Sequence, residues 1–180
     1  MCPQIAYHFD CEKDYSDRCE FYDDLAEERF REIRDLVADI CRKDSPLHLG
    51  IVRNMDCLNE VIEVDFKICY NYMRSKARVM MEYIQNMDFE AGYEGYLGKE
   101  EILASFSCLT DLFKNACLTS KTSDRCGSNV KDIAIEVLTR ENSTYRVCSD
   151  ASDERLEELL SLLNLGSQEK AFLNIFLYKG

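Results

Sequence analysis

The ten cysteines in this chain of 180 residues constrain its fold more than any other feature. Their number is even, and no two of them have the Cys-x-x-Cys spacing of zinc sites and redox-active dithiols. The two histidines, His8 and His48, stand apart from any cysteine pair at zinc-like spacing. We therefore predict disulfides, with no metal site and no cofactor. The cysteines are Cys2, Cys11, Cys19, Cys41, Cys57, Cys69, Cys108, Cys117, Cys126 and Cys148.

Five disulfides would place the protein in an oxidising compartment, so we predict a secreted, extracellular protein. No basic region or apolar run follows Met1, as a secretory signal would require. The sequence is therefore expected to be a mature fragment with an added start Met; the alternative is an intracellular protein. Asn142 opens an Asn-Ser-Thr sequon, which predicts a glycoprotein.

Composition predicts one globular domain over residues 1–180, because 46% of the residues are hydrophobic and only seven are glycine. The formal net charge of −12 makes the surface acidic. Such a surface repels nucleic acid and anionic membranes and attracts a basic partner. No apolar run is long enough to span a membrane.

Hydrophobic periodicity predicts an all-α bundle of about six helices, and no strand-like alternation persists. Residues 1–22 are expected to form an irregular arm held by disulfides. Apolar residues from Met55 to Met87 keep helical spacing without Gly or Pro between them, which predicts one long helix. Asp65 falls on its apolar stripe and marks an expected bend.

Glycine, proline and capping residues predict the helix boundaries. Ser45-Pro46 is expected to end the first helix. The segment Gly92–Gly98, with three glycines and two tyrosines, is the clearest predicted loop. The other predicted boundaries are a helix start near Lys99, a break at Cys126-Gly127, N-caps at Ser128, Ser152 and Ser167, and a C-terminal stop at Gly166.

Helix geometry restricts the pairing of four cysteines. Twelve residues separate Cys57 from Cys69, or about 18 Å along a helix, whereas bonded cysteines have Cα atoms within about 7 Å. Cys108 and Cys117 are about 13.5 Å apart by the same rule. We therefore expect bridges from the long helix to the helix that carries Cys108 and Cys117. The remaining bridges would join the arm, Cys41, Cys126 and Cys148 to this pair of helices.

One stretch of the cysteine pattern resembles a known group of proteins. Cys108, Cys117 and Cys126-Gly127 have the form C-x8-C-x8-C-G, and Cys57 and Cys69 lie upstream. From about residue 57 to 140, this spacing is similar to that of cysteine-rich secreted helical proteins of arthropods and nematodes, including the haemolymph glycoprotein type of insects and related arachnid proteins. The resemblance implies an extracellular, disulfide-linked helical protein without a catalytic motif.

No motif in the sequence identifies a reaction, so we predict a protein that is not an enzyme. The first hypothesis is a binding protein that presents a rigid acidic helical surface to another protein, as a venom, salivary or haemolymph component. Tyr93 and Tyr96 in the predicted loop are its candidate contacts. The alternative is an extracellular carrier of a small apolar or lipid-like ligand in a Met/Phe-lined cavity. Its candidate residues are Met73, Met80, Tyr83 and Met87.

Overall fold

The computed structural model describes residues 24–87, 93–141 and 148–177, and these ranges contain helices and no strand. The predicted all-α fold is confirmed. The predicted arm, with Cys2, Cys11 and Cys19, and the sequon at Asn142 lie outside the described residues. The elements are α1 (Asp24–Cys41), α2 (Pro46–Arg53), α3 (Met55–Glu60), a π-helical turn (Val61–Asp65), α4 (Phe66–Gln85), α5 (Tyr93–Cys126), α6 (Ser128–Arg140), α7 (Asp153–Ser161) and α8 (Ser167–Leu177).

Helix α5 forms the centre of the fold. Helices α4, α6, α7 and α8 all pack against it, whereas α1 and α2 pack on each other and on α6. The main core therefore lies around α5, where Phe113 and its neighbours are almost completely buried. The buried members of this core are Met80, Ile84, Ile102, Cys108, Leu109, Leu112, Phe113, Ala116, Leu156, Leu159, Leu163 and Leu173.

The predicted long helix is present, with an irregular turn at the position of the predicted bend. Helix α3, the π-helical turn and α4 follow one another without a break from Met55 to Gln85. In the π-helical turn, the backbone N–H of Phe66 donates to the carbonyl of Val61, five residues earlier. Both Val61 and Asp65 are buried.

The predicted loop over Gly92–Gly98 is wrong from residue 93 onward, because α5 begins at Tyr93 and includes Gly95 and Gly98. A glycine costs a helix about 1 kcal/mol relative to alanine. Extending a helix that is already packed requires no new nucleus and adds a backbone hydrogen bond for each residue. The core packing of α5 thus carries the helix through glycines that sequence propensity treats as breakers.

Two boundaries near proline and glycine differ from the predictions in detail. Helix α1 ends at Cys41, and Ser45 is instead the N-cap of α2, where its hydroxyl accepts from the His48 N–H at 3.0 Å. The predicted break after α5 is confirmed at Gly127, which has φ +89°. Gly127 itself takes the N-cap position of α6, so Ser128 is the first helical residue and not the cap.

The last two helices begin with different capping arrangements. The Ser152 hydroxyl accepts from the Arg155 N–H at 3.2 Å, which confirms the predicted cap of α7. Helix α7 ends at Ser161, so Gly166 is not its stop. Gly166 instead precedes α8 and donates its N–H to Glu169 Oε2 at 2.6 Å, one half of a capping box. Ser167 is therefore the first residue of α8.

Three disulfides connect the described helices. Cys57–Cys126 and Cys69–Cys117 join the Met55–Gln85 run to α5, and Cys108–Cys148 joins α5 to the segment before α7. As expected, Cys57 is not bonded to Cys69, nor Cys108 to Cys117. Cys41 is also disulfide-bonded. Such a set of disulfides indicates an oxidising environment.

Candidate functional site

Large apolar side chains are exposed along the end of α2, the π-helical turn and the start of α4. Helices of a globular protein normally turn such side chains toward the core, so a concentration of them in solvent is informative. We call residues 52–70 the apolar face. Its most exposed apolar side chains are Val52 (52%), Ile62 (66%), Val64 (49%), Phe66 (48%), Ile68 (47%) and Tyr70 (45%).

The π-helical turn determines which side chains this segment exposes. It contributes an additional residue to the helix, and both Val61 and Asp65 face inward. Cys69, one turn later, is completely buried. Ile62, Phe66 and Tyr70 are each one residue further along, so they form an exposed row at intervals of four residues.

Covalent and ionic contacts hold the apolar face in position. Asp65 accepts from Arg125 Nε at 2.7 Å, and Arg125 Nη1 also contacts Glu60 Oε2 at 3.0 Å. The hydrogen bond from Arg125 holds the pKa of Asp65 below its usual value, against the opposing effect of burial. The disulfides at Cys57 and Cys69 fix the helix to α5 on either side of this ion pair. The face therefore has a rigid support.

Charged residues surround the apolar row. Asp56 and Glu63 are exposed beside it, and so are the cations Arg53 and Lys67. The row ends at Arg74, whose guanidinium carbon lies 5.9 Å from the centre of the Tyr70 ring. This arrangement is an apolar strip with a charged rim, the usual composition of a protein interface.

A cavity of about 190 Å³ lies among α4, α5 and α8, separate from the apolar face. Its apolar wall consists of Tyr72, Phe113, Ala116, Phe172 and Leu173. Ser120, Lys121 and Glu169 line its polar side.

The carboxylate of Glu169 is bound by neighbouring groups of the protein. The Tyr72 hydroxyl donates to its Oε1, Lys76 Nζ lies 3.3 Å from the same oxygen, and the Gly166 N–H donates to Oε2. Burial acts to raise the pKa of Glu169, but these contacts together hold the pKa below its usual value. Burial and the hydrogen bond to Glu169 strongly raise the pKa of the Tyr72 hydroxyl.

The residues that the sequence suggested as a ligand site lie along the core and not around the cavity. Met80 is completely buried, and Met73, Tyr83 and Met87 pack against the same core cluster. None of the four lines the 190 Å³ cavity. The Tyr83 hydroxyl donates to Glu158, which raises the pKa of Tyr83.

Tyr93 and Tyr96, the candidate protein contacts, lie in the first turns of α5. The structure thus assigns them to a helix and not to a loop. The sequence analysis did not predict the exposed residues of the apolar face, although the sequence contains a signal for them. Val64, Phe66, Ile68 and Tyr70 are apolar but fall off the stripe that predicts the buried side of the long helix.

In the part of the chain that the structure describes, no group of three or more His, Cys, Asp or Glu residues is arranged to hold a metal ion. None of the helices described there is long and apolar enough to cross a membrane. No family model, curated protein or solved structure matches the chain.

Proposed function

We propose that this chain is a secreted, non-enzymatic protein that binds another protein through the apolar face of residues 52–70. The observation that carries this proposal is the exposure of Ile62, Phe66 and Tyr70 in one row, each by 45% or more. Contiguous exposed apolar surface on a soluble protein marks interaction sites. A row of side chains four residues apart is also the pattern that inserts into the groove of a partner.

The net charge of the chain favours a partner with an apolar groove and a basic surface. The rim of the apolar face is mixed, with the acids Asp56 and Glu63 and the cations Arg53, Lys67 and Arg74, but the whole chain has a net charge of −12. Opposite charges at a rim accelerate encounter and exclude wrong partners. A second copy of the same acidic chain is disfavoured, because the two copies would repel each other.

Rigidity supports the same proposal. The disulfides Cys57–Cys126 and Cys69–Cys117 hold the helix before a partner arrives. A pre-ordered surface loses less conformational entropy on association, which improves affinity without additional contacts. The disulfides and the resemblance to cysteine-rich arthropod proteins support secretion into a fluid such as venom, saliva or haemolymph.

In the test, the oxidised protein is immobilised on a resin and incubated with extracellular fluid from its source. We compare the wild type with the double variant Ile62→Ser/Phe66→Ser and with Val79→Ser. Val79 is 42% exposed on α4 outside the apolar face, so its variant is a matched control. The proposal expects a protein that is captured by the wild type and by Val79→Ser but not by the double variant.

Salt and self-association complete the test. Capture should weaken at high ionic strength, because the attraction between the acidic chain and a basic partner is screened by salt. Identical capture by all three proteins would contradict the proposal. Analytical ultracentrifugation of the pure protein checks for a second copy as the partner. A dimer that only the double variant abolishes would overturn the assignment of a foreign partner.

A further inference from the structure

The cavity among α4, α5 and α8 has the size of a small-molecule site. Its volume is about 190 Å³. An engineered apolar cavity of about 150 Å³ in another protein is large enough to bind benzene. Sites for drug-sized molecules usually enclose about 300 Å³ or more. The volume therefore suits one aromatic ring with a short substituent, and it is too small for a long-chain lipid.

The wall of the cavity suits an aromatic or aliphatic body. Phe113 is 1% exposed and Leu173 is 2% exposed, so both are fixed parts of the core. The Tyr72 ring packs edge-on against Phe113, with the ring centres 6.2 Å apart. Ala116, with the smallest side chain in the apolar wall, leaves the space open. An apolar ligand group would complete contacts that this wall leaves unfilled.

The polar side of the cavity favours an anion. Glu169 is already occupied on both oxygens by Tyr72, Lys76 and Gly166, and the ammonium of Lys76 balances its charge. Lys121 forms no ion pair with any residue that the structure describes. Its charge acts at longer range on Asp65, which Arg125 already holds. Lys121 is therefore the cation that lines the cavity without a direct ion pair among the described residues, and a ligand carboxylate would supply one.

We propose that this cavity binds a small amphipathic carboxylate, with its ring or short chain against Phe113 and Phe172 and its carboxylate at Lys121. The adjacent Ser120 also lines the cavity and supplies a hydroxyl donor. A charge-assisted hydrogen bond from an ammonium to a carboxylate is stronger than a bond between neutral groups. The site is independent of the apolar face, so either proposal can fail without the other.

Three probes of equal length separate the contributions of the ring and the charge. They are 3-phenylpropionate, 3-phenylpropanol and 3-phenylpropylamine, each titrated into the oxidised protein by calorimetry at neutral pH. The proposal expects the acid to bind most tightly, the alcohol more weakly and the amine most weakly. No binding of the acid up to its solubility limit, or binding of the amine as tight as that of the acid, would overturn the proposal.

Two variants connect the binding to named residues. Lys121→Met should weaken the binding of the acid about tenfold, which corresponds to the loss of one hydrogen bond to a charged group. The affinity for the alcohol should not change. Lys67→Met removes the same charge from the exposed side of α4 and should change neither. Equal affinity of the acid for both variants would contradict the role of Lys121.

A third variant fills the space. Ala116→Leu should abolish binding of both the acid and the alcohol, because the added methyl groups occupy the cavity. Its thermal unfolding is measured first, since Ala116 is only 6% exposed and overpacking destabilises cores. If this variant does not fold, chemical shift changes of Phe172 and Leu173 on titration with the acid replace it. Shifts confined to residues away from the cavity would overturn the proposal.

Discussion

Arg125 donates its Nε–H to Asp65 at 2.7 Å and thereby links the last turn of α5 to the π-helical turn. The Asp65 side chain is 3% exposed and that of Arg125 is 34% exposed, so the carboxylate is buried and its partner reaches solvent. This contact explains why an acidic residue lies on the apolar stripe of the long helix. It also holds the turn that presents Ile62 and Phe66 to solvent.

Removal of one member of this pair is expected to be worse than removal of both. Arg125→Leu should lower the melting temperature by several degrees, because the buried Asp65 carboxylate loses its partner charge. The double variant Asp65→Ala/Arg125→Leu should recover part of this loss, since no unpaired charge remains. Thermal unfolding followed by circular dichroism measures both.

Glu60→Gln is the control for the Asp65 pair. Glu60 contacts the same Arg125, but its side chain is 63% exposed, so its loss should have little effect. A melting temperature for Arg125→Leu equal to that of Glu60→Gln would show that the buried contact does not hold the turn.

The disulfides should differ in their resistance to mild reduction. Cys69 and Cys108 are completely buried, whereas Cys57 and Cys126 are both partly exposed. We therefore expect Cys57–Cys126 to be reduced first, since access controls thiol exchange. Alkylation of the released thiols and mass mapping during a short exposure to reductant would identify the order. Early release of Cys69 or Cys108 would contradict this expectation.

Removal of a whole disulfide tests its contribution to stability. Cys69→Ser/Cys117→Ser opens a link between residues 48 positions apart, and we expect a loss of about 2–4 kcal/mol in the free energy of unfolding. Urea denaturation of the otherwise oxidised protein measures the loss. An unchanged midpoint would mean that packing alone holds α4 against α5.

Two glycine substitutions should have opposite effects. Gly127 has φ +89° and ψ 171°, a conformation almost restricted to glycine, so Gly127→Ala should cost about 1–3 kcal/mol. The surroundings are open, with nothing within 4 Å of an added Cβ, so the cost is conformational.

Gly98→Ala is the matched comparison. Gly98 lies within α5, and an added Cβ would meet only Arg155 at 3.9 Å. This change should stabilise the protein by about 0.5–1 kcal/mol, because alanine is the better helix former. Destabilisation by Gly98→Ala would indicate that this part of the chain is not helical in solution.

Stability should fall in acid. The pKa values of four carboxyl groups lie below their usual values: that of Glu169, and those of three others, chiefly because of hydrogen bonds from neighbouring side chains. The three pairs are Arg140 with Asp39, Arg125 with Asp65, and Tyr83 with Glu158. A carboxyl group whose pKa is lower in the folded state stabilises the fold above its unfolded pKa of about 4, and this contribution is lost as pH falls through the folded value.

Urea midpoints between about pH 7 and about pH 2, measured with added salt to screen general repulsion, should be level at first and fall below about pH 4. The midpoint of Asp39→Asn should fall less steeply than that of the wild type, because one of the four linked protons is absent. A midpoint that rises on acidification would contradict these assignments.

Much of the fold follows from local patterns in the sequence. The spacing of Cys57 and Cys69 along one helix excluded a bond between them, because a helix rises by a constant amount per residue. Ser152 was predictable as the N-cap of α7, because the capping hydrogen bond joins residues only three positions apart. Each of these conclusions depends on geometry within a few turns of one element.

Other features depended on contacts between distant residues. Gly98 is helical because α5 packs on several helices. Asp65 can be buried because Arg125, sixty positions later, donates to its carboxylate and balances its charge. The cavity forms where Phe113 and Phe172 come together from different helices. The sequence by itself determined the helical class and the disulfide chemistry. Only the tertiary structure decided which apolar side chains face solvent and where space remains, because both depend on how separate helices pack against one another.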